Sequence, residues 1–338
     1  MRPTAVETDD TTASPLLRIS GLRVRLQRRD ESAMPVHDVS FEIAPGEIVG
    51  LVGESGSGKS LTALAIMGLL PRGAAVDQGS IEFKGVDLAL MSDRELQKVR
   101  GSQIGMILQD PHMSLNPVFR IGNQMKESLR QVTSKLSRAE RQGMMVELLQ
   151  GVGIGDAATR LEQYPHQLSG GMKQRVVGAM TLGGTPQLII ADEPTTALDV
   201  TVQAQFLEWL SRMRDETNTA LLLISHDLGV IAEVCDRVLV MYMGRILEVG
   251  RVEEVLEAPQ HPYTEALLAS RRMETKSDGT LLAIPGQPPT IWTIDRVACR
   301  FASRCAYVFD ECSEEPPIID VRSSPTQRAR CWKLKVPA

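Results

Sequence analysis

Ile48-Val49-Gly50-Leu51-Val52 is followed without a break by Gly53-Glu54-Ser55-Gly56-Ser57-Gly58-Lys59-Ser60, and this stretch decides the fold. The five leading residues form a short continuous apolar run, the pattern of a strand buried on both faces of a parallel sheet. The next eight match the phosphate-binding loop. Apolar residues at helical spacing then run from Ser60 to Leu70 and stop before Pro71. Strand, glycine loop and helix in this order place a ring of backbone N–H groups at the positive end of a helix, where an oxyanion is held. Lys59 is expected to reach the β- and γ-phosphates of a nucleotide and Ser60 to coordinate Mg²⁺. Gly53, Ser55, Gly56, Ser57, Gly58 and Leu61 complete the predicted nucleotide contacts. A glycine-serine linker is the bland alternative, and the flanking strand and helix patterns argue against it.

Further along, Leu188-Ile189-Ile190-Ala191 ends in Asp192-Glu193. An apolar strand that delivers two carboxylates to one loop suits Mg²⁺ held through water by Asp192, with Glu193 polarising an attacking water. Alone, such a strand could equally meet solvent at an acidic turn; the phosphate loop upstream decides for the metal and base roles. Other strand patterns occur at Leu17–Leu26, Val39–Ile43 and Leu221–Ile224, and a helix is predicted over Val200–Arg214. Val238–Tyr242 and Arg245–Val249, separated by Met243-Gly244, read as a hairpin.

The chain has 338 residues and a formal net charge of -5, which does not suit a protein that grips phosphate backbones. Aromatic residues make up 4% of it, too few for a stacking platform for single strands. No apolar run approaches a membrane span, and the polar first residues lack a signal-peptide pattern, so a cytoplasmic location is expected. Residues 1–14 read as a disordered tail. From about residue 90 the pattern turns mostly helical, with a helical subdomain expected over about 110–180. Prolines from Pro259 onward mark a boundary, giving a nucleotide-binding domain over 15–255 and a C-terminal extension over 256–338.

Leu168-Ser169-Gly170-Gly171-Met172-Lys173-Gln174 opens another helix with glycines. By itself it could be an ordinary Ser N-cap. The succession of phosphate loop, Gln109, Leu-Ser-Gly-Gly, Asp192-Glu193, Asp199 and His226 resembles that of ABC ATPases, from about Leu16 to Gly250. The resemblance implies an α/β fold: a P-loop core of RecA type with a mixed sheet, an antiparallel β subdomain and a helical signature subdomain. It further implies that Glu193 and His226 are catalytic, with His226 sensing the γ-phosphate, and that Gln109 senses Mg²⁺ and links to a membrane partner. Ser169, Gly170, Gly171, Gln174 and Asp199 would serve the ATP held by an opposing subunit. The family's usual adenine-stacking aromatic corresponds to Leu26, which leaves aliphatic packing there, or His37, to hold the base.

Gln109-Asp110-Pro111-His112-Met113-Ser114-Leu115-Asn116-Pro117, Tyr164-Pro165-His166-Gln167, His261-Pro262-Tyr263-Thr264 and Gly286-Gln287-Pro288-Pro289 are similar to the oligopeptide and dipeptide permease ATP-binding subunits. This implies an ATP-hydrolysing motor of an importer for short peptides or similar solutes. It would be peripheral, on the cytoplasmic face of a bacterial inner membrane. Its partners would be two transmembrane permease subunits, an extracytoplasmic solute-binding protein and a second ABC ATPase subunit, expected to be a different chain. The competing class is a soluble ABC ATPase working on nucleic acid or ribosomes. A single cassette without sustained heptads speaks against it.

Four of the five cysteines, Cys299, Cys305, Cys312 and Cys331, fall near the C-terminus. In a cytoplasmic chain they suggest metal binding before disulfides. The close pairs typical of structural zinc are missing. A [4Fe–4S] cluster, also implied by the resemblance, is the leading expectation, with zinc or unliganded thiols as alternatives.

Overall fold

A computed structural model describes residues 14–28, 31–110, 114–130, 132–196, 198–271, 284–292, 297–322 and 324–335. The segment 1–13, most of the expected N-terminal tail, and Pro111, His112 and Met113 of the Gln109 stretch lie outside the described residues.

Two sheets organise the chain. The first is antiparallel, in the order β2-β1-β4-β5, built from β1 (Leu17–Arg28), β2 (Glu31–Ile43), β4 (Ala74–Phe83) and β5 (Val86–Asp87). Their inward residues, among them Leu17, Ile19, Leu22, Val24 and Ile81, pack on the outer face of the second sheet.

The second sheet starts from β3 (Ile48–Val52) and contains β6 (Ile104–Ile107), β7 (Leu188–Asp192), β8 (Ala220–Ser225), β9 (Arg237–Tyr242) and β10 (Arg245–Arg251). β11 (Ile319–Asp320) and β12 (Arg328–Ala329) extend one edge, giving the order β11-β12-β10-β9-β3-β8-β7-β6. β9, β3, β8, β7 and β6 are parallel; the hairpin β9–β10 and the added edge are antiparallel. Every residue of β3, β7 and β8 is buried, as their unbroken apolar runs require. The hairpin turn puts both Met243 and Gly244 at positive φ, the conformation that suits tightly twisted strands.

Helices cover the sheet. α1 (Lys59–Ile66) follows the glycine loop, and α2 (Asp93–Val99) is started by a Ser92/Glu95 capping box. α3 (Ile121–Ser128), α4 (Arg138–Gly151), α5 (Ala157–Leu161) and α6 (Gly170–Leu182) form a helical region through Met125, Leu129, Leu149, Leu161 and Val176. α7 (Val200–Thr217), α8 (Leu228–Val234), α9 (Val252–Glu257) and α10 (Pro262–Arg271) complete the set.

The mostly helical pattern read from about residue 90 hides a strand, β6. Its four residues, Ile-Gly-Met-Ile, are too few to show a period, and β6 is placed only by its parallel pairing to β7. β4 was likewise unmarked.

The proline-rich tail is tied to the sheet. β12 pairs with β10 through Glu248–Ala329 and Val249–Arg328. Glu248, fully buried, accepts hydrogen bonds from Gln260 N (2.7 Å), His261 N (3.0 Å) and Gln327 Nε2 (2.8 Å). Burial raises its pKa while these donors oppose the shift. A buried carboxylate is tolerated only when so satisfied, and here it joins two parts of the tail, around Gln260–His261 and at Gln327, to one sheet position.

Candidate functional site

The phosphate loop bends away from β3 through Gly53, Gly56 and Gly58, all at positive φ. At two of them only hydrogen fits: a Cβ on Gly53 would lie 2.0 Å from Met241 O, and one on Gly58 would lie 2.5 Å from Pro35 O. The loop therefore closes against the hairpin strand β9 and against Pro35 within β2. Lys59 is buried and folds back over the loop, donating to Gly53 O (2.8 Å) and Glu54 O (3.0 Å). Burial lowers its pKa, opposed by the charges of Glu193, Asp192 and Glu54.

Asp192 and Glu193 arrive at the end of β7. Ser60 Oγ donates to Asp192 Oδ1 at 3.1 Å, so the two predicted Mg²⁺ groups already touch. Burial raises the Asp192 pKa; the Ser60 bond opposes that, Glu193 adds to it and Lys59 opposes it. A hydroxyl and a buried carboxylate beside a phosphate loop are the hard oxygen donors Mg²⁺ prefers.

Glu193 has φ 46°, a left-handed conformation unusual for a residue with a side chain. Its carboxylate is held from three sides. Gln109 Nε2 and Thr196 Oγ1 each donate to Oε2 at 3.0 Å, and His226 Nδ1 lies 3.2 Å from the same oxygen. Glu193 is 16% exposed at the side chain and His226 58%, so the carboxylate sits back and the imidazole faces outward. The sequence separates Gln109, Glu193 and His226 widely; the parallel strands β6, β7 and β8 end side by side and bring them together.

These groups line one open cavity of about 770 Å³ with Ser55–Leu61. Its apolar part is formed by Pro35, Met243, Pro288, Pro289 and Ile291. Leu26 and His37, the expected base-holding positions, are not among the residues lining it. Leu26 pairs with Ala33 and Ala74 inside the antiparallel sheet. His37 is half-buried and held neutral, its pKa lowered to about 4 by burial and then by Arg245, Arg300 and Arg23.

The Leu168–Gly171 segment lies outside this cavity. Ser169 caps α6, its Oγ accepting from Met172 N at 3.3 Å. Gly171 packs on α7, where an added Cβ would meet Val202 Cγ1 at 2.6 Å. Asp199 caps α7, accepting from Val202 N at 3.0 Å. Gln174 is 1% exposed and stands behind this surface.

All four tail cysteines are free thiols and line one small cavity of about 20 Å³ with His261, Phe301, Phe309 and Trp332. Cys299 N donates to Cys312 O at 3.0 Å. Burial pushes the Cys299 thiol up to about 12 and raises those of Cys305 and Cys331. Among the described residues no three His, Cys, Asp or Glu side chains are grouped tightly enough for one metal ion. The four thiols thus share the lining of one small apolar cavity without the tight grouping that a single ion requires.

A phosphate loop, a strand-end carboxylate pair and a serine-capped, glycine-opened helix outside the cavity define a P-loop ATPase of the cassette class. Comparisons agree. The ABC transporter family model matches residues 36–196, and the oligopeptide/dipeptide transporter C-terminal region matches 247–312. The putative peptide import ATP-binding protein of Brucella ovis is 46% identical over 332 residues, covering 94% of this chain and 98% of that protein. The oligopeptide transport ATP-binding protein OppD of Escherichia coli is 44% identical over 322 residues, covering 95% and 94%. A dimeric bacterial ABC transporter cassette superposes with a TM-score of 0.63 at 25% identity, over 70% of this chain and 98% of that one. This chain belongs to the ABC transporter ATP-binding family, in its oligopeptide/dipeptide branch.

Among the described residues no helix is long and apolar enough to cross a membrane.

Proposed function

We propose that this chain is the ATP-hydrolysing motor subunit of an importer for di- or oligopeptides, working on the cytoplasmic face of the membrane. The observation that carries the hydrolytic part is the Glu193 carboxylate, fixed by Gln109, Thr196 and His226 at the mouth of the phosphate loop. The peptide part rests on its relatives, because a nucleotide-binding subunit does not touch the solute.

Lys59 and the loop N–H groups grip the β- and γ-phosphates, and Ser60 with Asp192 and Gln109 holds Mg²⁺. The ion supplies charge neutralisation at the phosphates. Glu193 polarises the attacking water, and His226 senses the γ-phosphate. Pro35, Met243, Pro288, Pro289 and Ile291 hold the adenine by apolar contact in place of an aromatic ring. Ser169, Gly170, Gly171 and Asp199 complete the site of an opposing ATPase subunit, a different chain in our reading. Two permease subunits and a solute-binding protein complete the transporter.

Cys299, Cys305, Cys312 and Cys331 would hold a [4Fe–4S] cluster, which would link parts of the tail that are far apart in sequence.

Purification of the tagged chain with its membrane complex tests both parts. The expected result is two permease chains, one copy of this chain and one related ATPase, a brown colour, and about four irons per copy. Two copies of this chain and no other ATPase would overturn the heterodimer. Colourless protein with one zinc and no iron would overturn the cluster. A bound peptide in the co-purified binding protein supports the solute class, and any other ligand overturns it.

A further inference from the structure

The second residue of the phosphate loop, Glu54, points its carboxylate away from the phosphate cradle and into the C-terminal extension. There it meets Arg304, from a short turn (Ala302–Arg304) between Cys299 and Cys305. The pair is bidentate: Nη1 donates to Glu54 Oε2 at 2.7 Å and Nη2 to Oε1 at 3.0 Å. Nε of the same guanidinium donates to Pro285 O (2.9 Å), and Nη1 also reaches Tyr242 Oη (3.2 Å). The Arg304 side chain is 4% exposed.

The rest of Glu54 is held just as closely. Its N–H donates to Tyr263 Oη (2.9 Å), and its carbonyl accepts from Ser57 N (3.2 Å) and Lys59 Nζ (3.0 Å). Tyr263, Tyr242 and Phe301 pack ring against ring beneath it, with centroids 4.7–5.4 Å apart.

We propose that Arg304 is a positioning residue of the phosphate loop: it clamps Glu54 so that the loop N–H groups are set for the triphosphate, and it neutralises a carboxylate that would otherwise repel it. This rests on the ATPase reading above. Two physical effects act together. A loop fixed in advance loses less freedom when ATP binds. An unpaired carboxylate next to a polyphosphate opposes binding, the more so where water is scarce. The forked geometry is specific to arginine; a lysine ammonium cannot bridge both carboxylate oxygens.

The test uses the full-length chain for ATP dissociation constants and melting temperatures, and the assembled transporter for KM and kcat. Arg304→Gln is expected to weaken ATP binding and raise KM about tenfold, with kcat within about threefold, because the pair acts on ATP only through the ordering of the loop. Arg304→Lys retains most of that loss. Glu54→Gln alone weakens binding about threefold. Adding Glu54→Gln to Arg304→Gln brings the loss back to about threefold, because no orphan carboxylate remains. Recovery in the double variant is the readout that a merely structural arginine would not give. Wild-type KM in Arg304→Gln, a double variant that multiplies the two single losses, or a fall in kcat at unchanged KM would each overturn the proposal. If Arg304→Gln does not fold, Glu54→Gln decides: weakened ATP binding supports the clamp and unchanged binding overturns it. A wild-type chain that binds no ATP would overturn the ATPase reading and the clamp with it.

Discussion

Two glycine-rich turns in this molecule each open a helix, and they are built differently. The loop before α1 is finished within its own chain. Three of its glycines sit at positive φ, Lys59 lies across it, and Ser60 touches the Asp192 carboxylate. The turn before α6 has a simple Ser169 cap, and its residues line none of the cavity the first loop opens into. In the function proposed above, the first is a site and the second is half of one, completed by another subunit. A helix N-terminus is therefore not informative alone. What surrounds it decides whether it binds in cis or waits for a partner.

The largest expected effect lies on the finished side. Glu193→Gln should leave ATP binding intact and lower hydrolysis by the assembled transporter about 10³-fold, since the amide cannot take a proton from water. Near-wild-type turnover would remove Glu193 from the chemistry.

Next come the two turns themselves. Lys59→Ala should weaken ATP binding by the isolated chain on the order of a hundredfold, through loss of a charged phosphate contact. Ser169→Arg should leave that binding within about twofold while stopping hydrolysis in the complex, where a bulky cation would block the opposing site. Equal losses of binding in the isolated chain from both changes would erase the distinction between them.

The last effect concerns acid stability. His261 is buried, its Nδ1 accepts from Tyr263 N at 2.9 Å, and burial lowers its pKa to about 3. The folded state keeps it neutral, while the unfolded chain takes up a proton near pH 6.5. The stability from a depressed histidine is present above that value and is lost as pH falls toward 3. His261 should contribute a loss of roughly 2–3 kcal/mol by pH 4.5. Denaturant unfolding of wild type and His261→Gln between pH 7 and 4.5 checks it. Identical slopes would exclude His261 as the source.

Much of the finished site was legible in the sequence, because each part has a local signature. The run Ile48–Val52 is a doubly buried strand, Leu188–Asp192 ends in one carboxylate with Glu193 directly after it, and Met243-Gly244 turns a hairpin as its flanking runs indicate. What was illegible is held by distance. β6 is a strand only through its neighbour. Much of the apolar wall of the nucleotide cavity comes from Pro288–Ile291, whereas Leu26 pairs inside the antiparallel sheet. Glu54 resembles any loop carboxylate until Arg304 is placed beside it. No spacing rule links residues that meet only after the tail has folded back on the sheet.

That folding back sets an order of assembly. Glu54 and Arg304 are 250 residues apart, and Asp38 and Arg330 are 292 apart. At ribosomal speeds of about 5–20 residues per second, the phosphate loop leaves the ribosome roughly ten to fifty seconds before its clamp. Throughout that interval the nascent chain carries the phosphate loop without the arginine proposed to arrange it. A message cut short between Gly250 and Arg304 would thus yield a cassette with its motifs complete but without the proposed clamp on its phosphate loop. Such fragments would compete poorly for the nucleotide that finished subunits use.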